Sequence, residues 1–198
     1  MQKNAKKKGN NKASIKERLE HFHITAHEVI ELFEDLVENT WDGREKELVH
    51  PGNSLDRRLF ESIARLTISV ALEGVLLRRK KDQIEVFMLQ RGKEESFSGQ
   101  WHTPGSVFRP GEFPKDVVRR LSEREFKTTV SLMSDCIADS LVQESRGWFL
   151  SRVYLVEAEG KPNAKGRWFP VSKLPKNTIS FHKNFVIPKA VKEFKKII

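Results

Sequence analysis

Several features are scarce or missing in this chain of 198 residues. Cys136 is the single cysteine, which excludes a disulfide framework and a zinc site made of cysteines, and this favours a reducing compartment. No run of 18 apolar residues occurs, so no membrane-spanning helix is expected. The start, MQKNAKKKGNNK, lacks the apolar segment of a secretory signal. We therefore expect a cytoplasmic protein without a membrane partner.

Acidic residues are fewer than basic residues, 27 against 36, and the formal net charge is +9. Residues 1–12 hold five lysines and no acidic residue, whereas residues 13–66 hold seven basic and twelve acidic residues. The basic excess therefore lies in the first twelve residues and in residues 67–198. A basic domain favours anionic ligands such as nucleotides or RNA. The alternative is a solvated basic surface without a specific partner.

Three segments are predicted from composition and periodicity. Residues 1–12 are expected to form a disordered lysine-rich tail. Residues 13–66 are expected to form a helical extension, in which Thr25 and Glu28 make a capping box before an amphipathic helix. The apolar face of residues 25–40 offers a surface for a homodimer. What the extension does for function is not indicated by its sequence.

The periodicity changes at Thr67, where strand patterns begin. TISVALEGVLLRR and QIEVFMLQRG predict a hairpin that turns at residues 80–82. PKDVVRRLSEREF predicts a helix with Pro114 in its first turn, and FVIPKAVKEFKKII predicts a closing helix. Further strand-like runs lie between these two helices. Strands that alternate with two helices predict an α/β domain with its sheet between the helices.

Four short segments, in this order, resemble a known family. QRG at residues 90–92 and GQWHTPG at residues 99–105 resemble the strand end and the G-x-W-x-x-P-G segment of the Nudix hydrolase superfamily. GEFP at residues 111–114 and RWFPVSKLP at residues 167–175 resemble its G-E-S-P and W-F-x-x-x-x-L-P segments. The resemblance covers about residues 67–198. It implies an α/β/α sandwich with a mixed sheet and a Mg²⁺-dependent pyrophosphohydrolase acting on nucleoside diphosphates.

The sequence departs from the family's motif, G-x5-E-x7-R-E-U-x-E-E-x-G-U, where U is aliphatic. Anchored on Glu112, the motif assigns its arginine, its three helix glutamates and its late glycine to these residues: Arg120, Leu121, Arg124, Glu125 and Lys127. A shift by one residue makes the glutamate pair Glu123 and Arg124. In either register two of the three helix carboxylates are missing.

The missing carboxylates bear directly on metal binding. Mg²⁺ takes oxygen ligands at about 2.0–2.1 Å, usually one or two carboxylates with waters and substrate phosphates. Glu123 and Glu125 lie roughly 200° apart around a regular helix and cannot hold the same ion. Glu125 and Glu112 are therefore the candidate catalytic residues and the candidate ligands of a Mg²⁺ site that is weak or absent.

Arginines stand where the family has acids. Arg124 repels a cation but suits phosphate, because a guanidinium presents a fork of donors. We hypothesise that arginine replaces the metal as the counter-charge for a bound phosphate. The alternative is that Arg120 and Arg124 point to solvent or pair with Asp116 and Glu123.

The candidate ligand-binding residues are Arg91, Trp101, Gly105, Ser106, Arg120 and Arg124. The resemblance implies that Arg91 contacts phosphate, while Trp101 either stacks on a base or belongs to the core. A later loop of the family often supplies another carboxylate, and Glu144, Glu157 and Glu159 remain equal candidates for it.

Three functions are consistent with these residues. The first is a protein of the Nudix superfamily that binds a pyrophosphate ligand of the nucleoside-diphosphate type and hydrolyses it weakly or not at all. The second is an active Mg²⁺-dependent pyrophosphohydrolase with relocated carboxylates. The third is a module without catalysis that binds RNA or assembles a complex, which the basic domain favours.

Overall fold

The computed structural model describes His27, Glu28 and Glu31 and, apart from Glu94 and Pro110, residues 64–197. The chain divides into two compact units, Met1–Asn53 and Ser54–Ile198. In the first unit His27 and Glu31 are helical and their side chains pair at 3.2 Å, one helical turn apart. The predicted tail, most of the helical extension and the predicted dimer surface lie outside the described residues. The division at residues 66 and 67 stays a prediction.

One mixed sheet forms the centre of the described part of the second unit. Its strands are β1 (Ile68–Lys80), β2 (Gln83–Gln90), β3 (Trp101–His102), β4 (Gly105–Val107), β5 (Val130–Leu132), β6 (Ala138–Glu144), β7 (Gly147–Ala158) and β8 (Arg167–Pro170). The order is β3-β2-β1-β7-β5, while β4 pairs with β1, β6 with β7 and β8 with β2. β1 and β7 run parallel, and the other strand pairs are antiparallel. The mixed sheet and the β1–β2 hairpin are as predicted.

Two helices pack on the sheet, and each is continuous with a π-helical turn. Helix α1 (Pro114–Leu121) continues into the turn Ser122–Phe126, and the turn His182–Val186 leads into α2 (Ile187–Ile197). Residues 64–66 are also helical. Among the described residues, no helix is long and apolar enough to cross a membrane.

Side chains of β1 alternate between two cores. Leu72 and Leu76 belong to a first core with α1, whereas Val75 and Leu77 belong to a second core with α2. The first core is completed by Phe87, Leu89, Val117, Val118, Leu121, Phe126, Val130, Tyr154 and Val156. The second is completed by Val86, Met88, Trp101, Val153, Leu155, Val186, Ile187, Ala190 and Phe194. The sheet therefore lies between the two helices, which confirms the predicted α/β/α sandwich.

The helix predicted over residues 114–126 is not a regular α-helix throughout. It widens to a π-helical turn after Leu121 and stops at Lys127, whose φ of +56° lies in the left-handed region. The Ser122 hydroxyl bonds Val118 O at 3.0 Å and accepts the Val130 amide at 3.0 Å, so this turn is attached to β5. Within this turn, Glu125 is half-buried and Arg124 is exposed.

Candidate functional site

Five ionisable residues from distant parts of the sequence act on one another electrostatically. They are Glu73 of β1, Arg91 after β2, His102 of β3, Glu125 of the turn after α1 and His182 of the turn before α2. We call these five residues the charge cluster. Charges in a poorly solvated place interact far more strongly than charges in water, so the cluster has the electrostatics of a candidate site.

Glu125 is an acid with an unsatisfied oxygen. Its pKa is raised to about 7, chiefly by burial and to a smaller extent by Glu95, while Arg91, the backbone amide of Gly105 and Arg120 oppose the rise. Its Oε2 atom is buried and has no hydrogen-bond partner. A buried polar atom without a partner costs free energy, so this oxygen is suited to bind a group that the protein itself does not provide.

Glu73 reaches the cluster from the strand. Its pKa is raised to about 7, chiefly by burial and to a smaller extent by Glu125 and Glu144, while a hydrogen bond from Ser151 and the charge of Arg91 oppose the rise. Ser151 Oγ donates to Oε1 at 3.1 Å, and Oε2 lies 3.9 Å from His182 Nδ1, beyond hydrogen-bond distance. Glu73 is thus a second acid whose negative charge is poorly compensated by neighbouring groups.

Gly105 lies between the two acids. It is opposite Glu73 in the β1–β4 pairing, and its amide is hydrogen-bonded to Glu125. A Cβ atom at position 105 would lie 2.6 Å from Glu73 Oε2 and 2.9 Å from the Leu72 carbonyl oxygen. The site therefore requires glycine at this position, because any side chain would collide with the carboxylate and the backbone.

Both histidines of the cluster are neutral at neutral pH. His182 accepts the Thr103 amide at Nδ1, 3.2 Å away, and the same nitrogen lies 2.7 Å from Thr103 Oγ1. Burial and then Arg91 lower the pKa of His182 to about 3. His102 donates from Nδ1 to the Thr103 carbonyl at 2.8 Å, and burial, Arg91 and His182 lower its pKa well below the ordinary value. Among the five residues, Arg91 therefore supplies the positive charge.

Arg91 is placed by its backbone. Its amide donates to Gln100 O at 2.9 Å and its carbonyl accepts the Gly99 amide at 3.1 Å, which fixes the strand end to the following loop. Nη1 reaches Glu95 at 3.3 Å, but Nε is buried without a hydrogen-bond partner. The guanidinium therefore keeps a donor available beside two acids.

Glu112 and Arg120 form a brace at the start of α1. Arg120 donates to both oxygens of Glu112, at 2.6 Å and 2.8 Å, and also to Ser106 Oγ at 2.8 Å and Val107 O at 2.9 Å. Glu112 Oε2 also accepts the Arg109 amide at 2.7 Å. Three predicted site residues, Ser106, Glu112 and Arg120, are thus brought together, but in a closed network. Arg120 does not pair with Asp116 or Glu123; Asp116 lies 3.5 Å from Arg119 instead.

Two other predicted site residues lie elsewhere. The side chain of Arg124 is exposed, and its charge acts with that of Arg120 to lower the pKa of Arg109, after the larger effect of burial. Trp101 is buried in the second core, edge to face with Phe169 at a centroid distance of 4.8 Å. Trp101 thus belongs to the second core, and its stacking on a base stays a prediction.

The three later acids differ in their surroundings. Glu144 pairs with Arg146, and its charge raises the pKa of Glu73 after the larger effects of other groups. Glu157 and Glu159 are exposed, and Glu157 accepts a hydrogen bond from Ser131. Of the three, Glu144 is therefore the acid whose charge reaches the cluster.

The residues that the structure describes contain no group of three or more His, Cys, Asp or Glu side chains able to hold a metal ion. Glu73 and Glu125 nevertheless fit a cation such as Mg²⁺, which commonly uses one or two carboxylates and completes its shell with waters and phosphates. The unpartnered Oε2 of Glu125 is the observation that supports this fit.

Four residues of this site were not identified from the sequence: Glu73, His102, Ser151 and His182. Glu73 had a signal, because it is the one acidic residue within the apolar run TISVALEGVLLRR. A charge inside a strand core is unusual enough to suggest a function. The other three carry no such signal, because only the fold brings them to Glu73.

No family model matches this sequence, and no curated protein matches it. Solved structures do match. The Ap4A hydrolase of C. elegans has 15% identity and a TM-score of 0.53 over 65% of this chain and 99% of its own. The MutT NUDIX hydrolase of Burkholderia pseudomallei has 18% identity and a TM-score of 0.50 over 63% of this chain and 97% of its own. The MutT protein of Methanosarcina mazei Go1 has 16% identity and a TM-score of 0.50, over 64% and 95%. The second unit of this chain therefore has the Nudix hydrolase fold.

Proposed function

We propose that the chain binds a nucleotide-like ligand containing a pyrophosphate at the charge cluster, and that it hydrolyses this ligand weakly or not at all. The observation that carries the proposal is the buried Nε of Arg91, a guanidinium donor without a partner. Arginine binds phosphate oxygens through charge-assisted hydrogen bonds, and such bonds are strongest where water is excluded. Arg91 takes the role that the sequence hypothesis gave to Arg124.

Weak or lost hydrolysis is proposed from the helix side chains. Two glutamate positions of the motif carry Leu121 and Arg124, which have no carboxylate. Leu121 is buried in the first core, and the side chain of Arg124 is exposed. Both oxygens of Glu112 are engaged by Arg120, which leaves Glu125 as the predicted catalytic residue with an available oxygen. A bound Mg²⁺ would supply counter-charge and an activated water. Glu125 and Glu73 would hold it, while Arg91 would hold the phosphate.

Binding is tested with ADP-ribose in EDTA by isothermal titration. Arg91→Ala is expected to weaken binding at least tenfold, because one charge-assisted hydrogen bond to phosphate contributes roughly 1.5–3 kcal/mol. Arg119→Ala is the matched control, since Arg119 is an exposed arginine of α1, and it is expected to leave the affinity within twofold. Equal losses in both variants would point to general charge rather than to the site. If ADP-ribose does not bind, the same titration is made with a dinucleoside polyphosphate and a nucleotide sugar, and failure of all three contradicts the proposal.

The second candidate is an active pyrophosphohydrolase with relocated carboxylates. The electrostatic effect of Glu125 on Glu73 favours it, because a strand carboxylate that acts on the same site can replace one that the helix lacks. Metal-dependent release of phosphate products that disappears in Glu125→Gln would establish this candidate and exclude the first.

RNA remains a further candidate partner. An open groove beside α1 is lined by three basic side chains and one acid, with hydroxyl groups beside them: Lys115, Arg119, Lys127, Glu123, Ser122, Thr128 and Thr129. Binding that weakens steeply with salt in the full chain is expected if RNA is a partner. Loss of that binding on deletion of residues 1–12 would assign it to the tail rather than to this groove. A homodimer stays a prediction that sedimentation would test.

A further inference from the structure

Phe97, in the loop between β2 and β3, has a backbone conformation that its residue type disfavours. Its φ is +61°, in the left-handed region, where the Cβ atom crowds the following carbonyl oxygen. Two other described residues that are not glycine share this region, Lys81 in the β1–β2 turn and Lys127 at the end of the turn after α1. Both are exposed, flexible side chains, whereas a bulky ring is a rare choice here. Strain of this kind collects at ligand sites, so Phe97 is a candidate for a function.

The ring of Phe97 is not part of the packing that holds the fold together. The residue is half-buried and belongs to neither core. Within the described part of the chain, no other aromatic ring packs against it. The strain is therefore not offset by core burial, and part of the ring is accessible to a ligand.

The backbone around Phe97 is held firmly. The Phe97 carbonyl accepts the Gln100 amide at 3.0 Å. The Gly99 carbonyl accepts two side-chain amides, from Gln90 and from Asn177, both at 2.8 Å. These bonds attach the loop to the end of β2 and to the segment before the second π-helical turn. A ring on such a backbone loses little conformational freedom when a ligand binds.

The loop that carries Phe97 is fixed to Arg91 on both sides of the ring. Before Phe97, the Glu95 carboxylate lies 3.3 Å from Nη1 of Arg91, and after it the Gly99 amide donates to the Arg91 carbonyl at 3.1 Å. Each contact is two residues from Phe97, which is at most about 7 Å of chain. Nε of Arg91 is the buried donor without a partner. An aromatic ring and an available phosphate donor therefore lie in one short, closed loop.

We propose that Phe97 is a specificity-determining residue, whose ring stacks on the base of the ligand while Arg91 binds its phosphate. A nucleotide carries its base and its phosphates on opposite sides of the ribose, which matches a ring and a guanidinium that lie near each other. The inference rests on the proposed function and narrows the ligand to one that contains a nucleobase. Every base has a π face, so Phe97 selects for the presence of a base rather than for one base over another.

The test is isothermal titration of the full chain in EDTA with ADP-ribose and with inorganic pyrophosphate, which has no base. Phe97→Ala is expected to weaken ADP-ribose binding at least fivefold, the lower range for removal of a stacking ring, and to leave pyrophosphate binding within twofold. Phe97→Trp retains a stacking face and is expected to stay within twofold for both. Phe113→Ala is the matched control, since Phe113 is an exposed phenylalanine at the start of α1, and no change is expected. Unchanged ADP-ribose affinity in Phe97→Ala, or an equal loss for both ligands, overturns the proposal.

A comparison of two small residues at position 97 separates stacking from an effect on the fold. Phe97→Gly is expected to unfold about 2–4 °C above Phe97→Ala, because glycine adopts the left-handed region without strain. It is nevertheless expected to bind ADP-ribose no better than Phe97→Ala, because both lack the ring. An affinity that follows the thermal stability, tighter in Phe97→Gly than in Phe97→Ala, means that the ring acts only through the fold and overturns the proposal.

The stacking and the proposed function can fail separately. ADP-ribose binding that Arg91→Ala weakens and Phe97→Ala does not would overturn the stacking alone. Adenosine has a base and no phosphate, so Phe97→Ala is expected to weaken its binding, whereas Arg91→Ala is not. Adenosine binding that depends on Phe97, together with ADP-ribose binding that Arg91→Ala leaves unchanged, would overturn the proposed function alone. Absence of binding for both ligands contradicts both.

Discussion

At the scale of single residues, the position of each charge decides what it can do. Arg91 and Arg124 are both arginines of the predicted site, yet Arg91 acts on two half-buried acids whereas the side chain of Arg124 is exposed. The QRG motif identified Arg91 from the sequence. For Arg124 the sequence left two alternatives open, phosphate binding or a solvent-facing side chain, because helical periodicity alone does not say which face packs on the domain.

Glu73 gives a prediction on stability and pH. Its pKa is about 7 in the folded chain, against an ordinary 4.5. Between pH 4.5 and 7 the folded chain keeps a proton that the unfolded chain has released, so the contribution of Glu73 to the free energy of unfolding falls as pH rises and is constant above that window. Glu73→Gln removes this dependence. We expect the stability of the variant relative to the unmodified chain to rise across the window by on the order of 3 kcal/mol.

The measurement is urea unfolding in EDTA from pH 4.5 to 8. His102 and His182, whose pKa values are lowered, add the opposite slope, but they are present in both proteins and largely cancel in the difference. Glu159→Gln serves as the control and is expected to give a constant difference. A constant difference for Glu73→Gln as well would show that Glu73 is ionised normally.

Arg120 gives a prediction on folding rather than on ligand binding. Its side chain and that of Glu112 are 10% and 13% exposed, and they share a bidentate ion pair. Arg120→Ala leaves the Glu112 carboxylate buried without its partner, which costs about 3–5 kcal/mol. Arg119→Ala removes an exposed arginine and is expected to cost less than about 1 kcal/mol. If Arg120→Ala and Arg119→Ala lower the free energy of unfolding equally in urea, the Arg120–Glu112 ion pair does not stabilise the fold.

At the scale of elements, the turn after α1 ends on a left-handed residue that is not glycine. The family motif has a glycine where this chain has Lys127, and Lys127 still adopts φ +56°. Glycine accepts this region freely, while other residues lose roughly 1–2 kcal/mol there. This agreement favours the register that is anchored on Glu112, and the same register assigns Glu125 to the motif.

Substitution of Lys127 tests the strain at this turn. Lys127→Gly and Lys127→Ala both remove the bond from Lys127 Nζ to the Glu123 carbonyl, 2.7 Å long, so their difference reports the backbone alone. Lys127→Gly is expected to be more stable than Lys127→Ala by about 1 kcal/mol in thermal or urea unfolding. If the alanine variant is equally stable or more stable, the turn has no such strain.

At the scale of the whole molecule, the sequence predicted the architecture well and the site less well. Alternating apolar residues in β1 and β2 determine which face meets which helix, so the layers and the hairpin follow from local patterns. The charge cluster depends on the pairing of β1 with β4, which places Gly105 opposite Glu73, and on the position of His182 near the end of the chain. Such contacts join residues far apart in sequence, and no local pattern contains them.

The central claim is that this Nudix fold binds a pyrophosphate ligand and does not turn it over efficiently. The most direct measurement incubates the full chain with ADP-ribose, dinucleoside polyphosphates and nucleotide sugars, and records thermal stabilisation in EDTA and phosphate release in Mg²⁺. We predict stabilisation by at least one of these ligands in EDTA, and release in Mg²⁺ no faster than that of Glu125→Gln. Rapid Mg²⁺-dependent release that Glu125→Gln abolishes would contradict the claim and show that the chain is an active hydrolase.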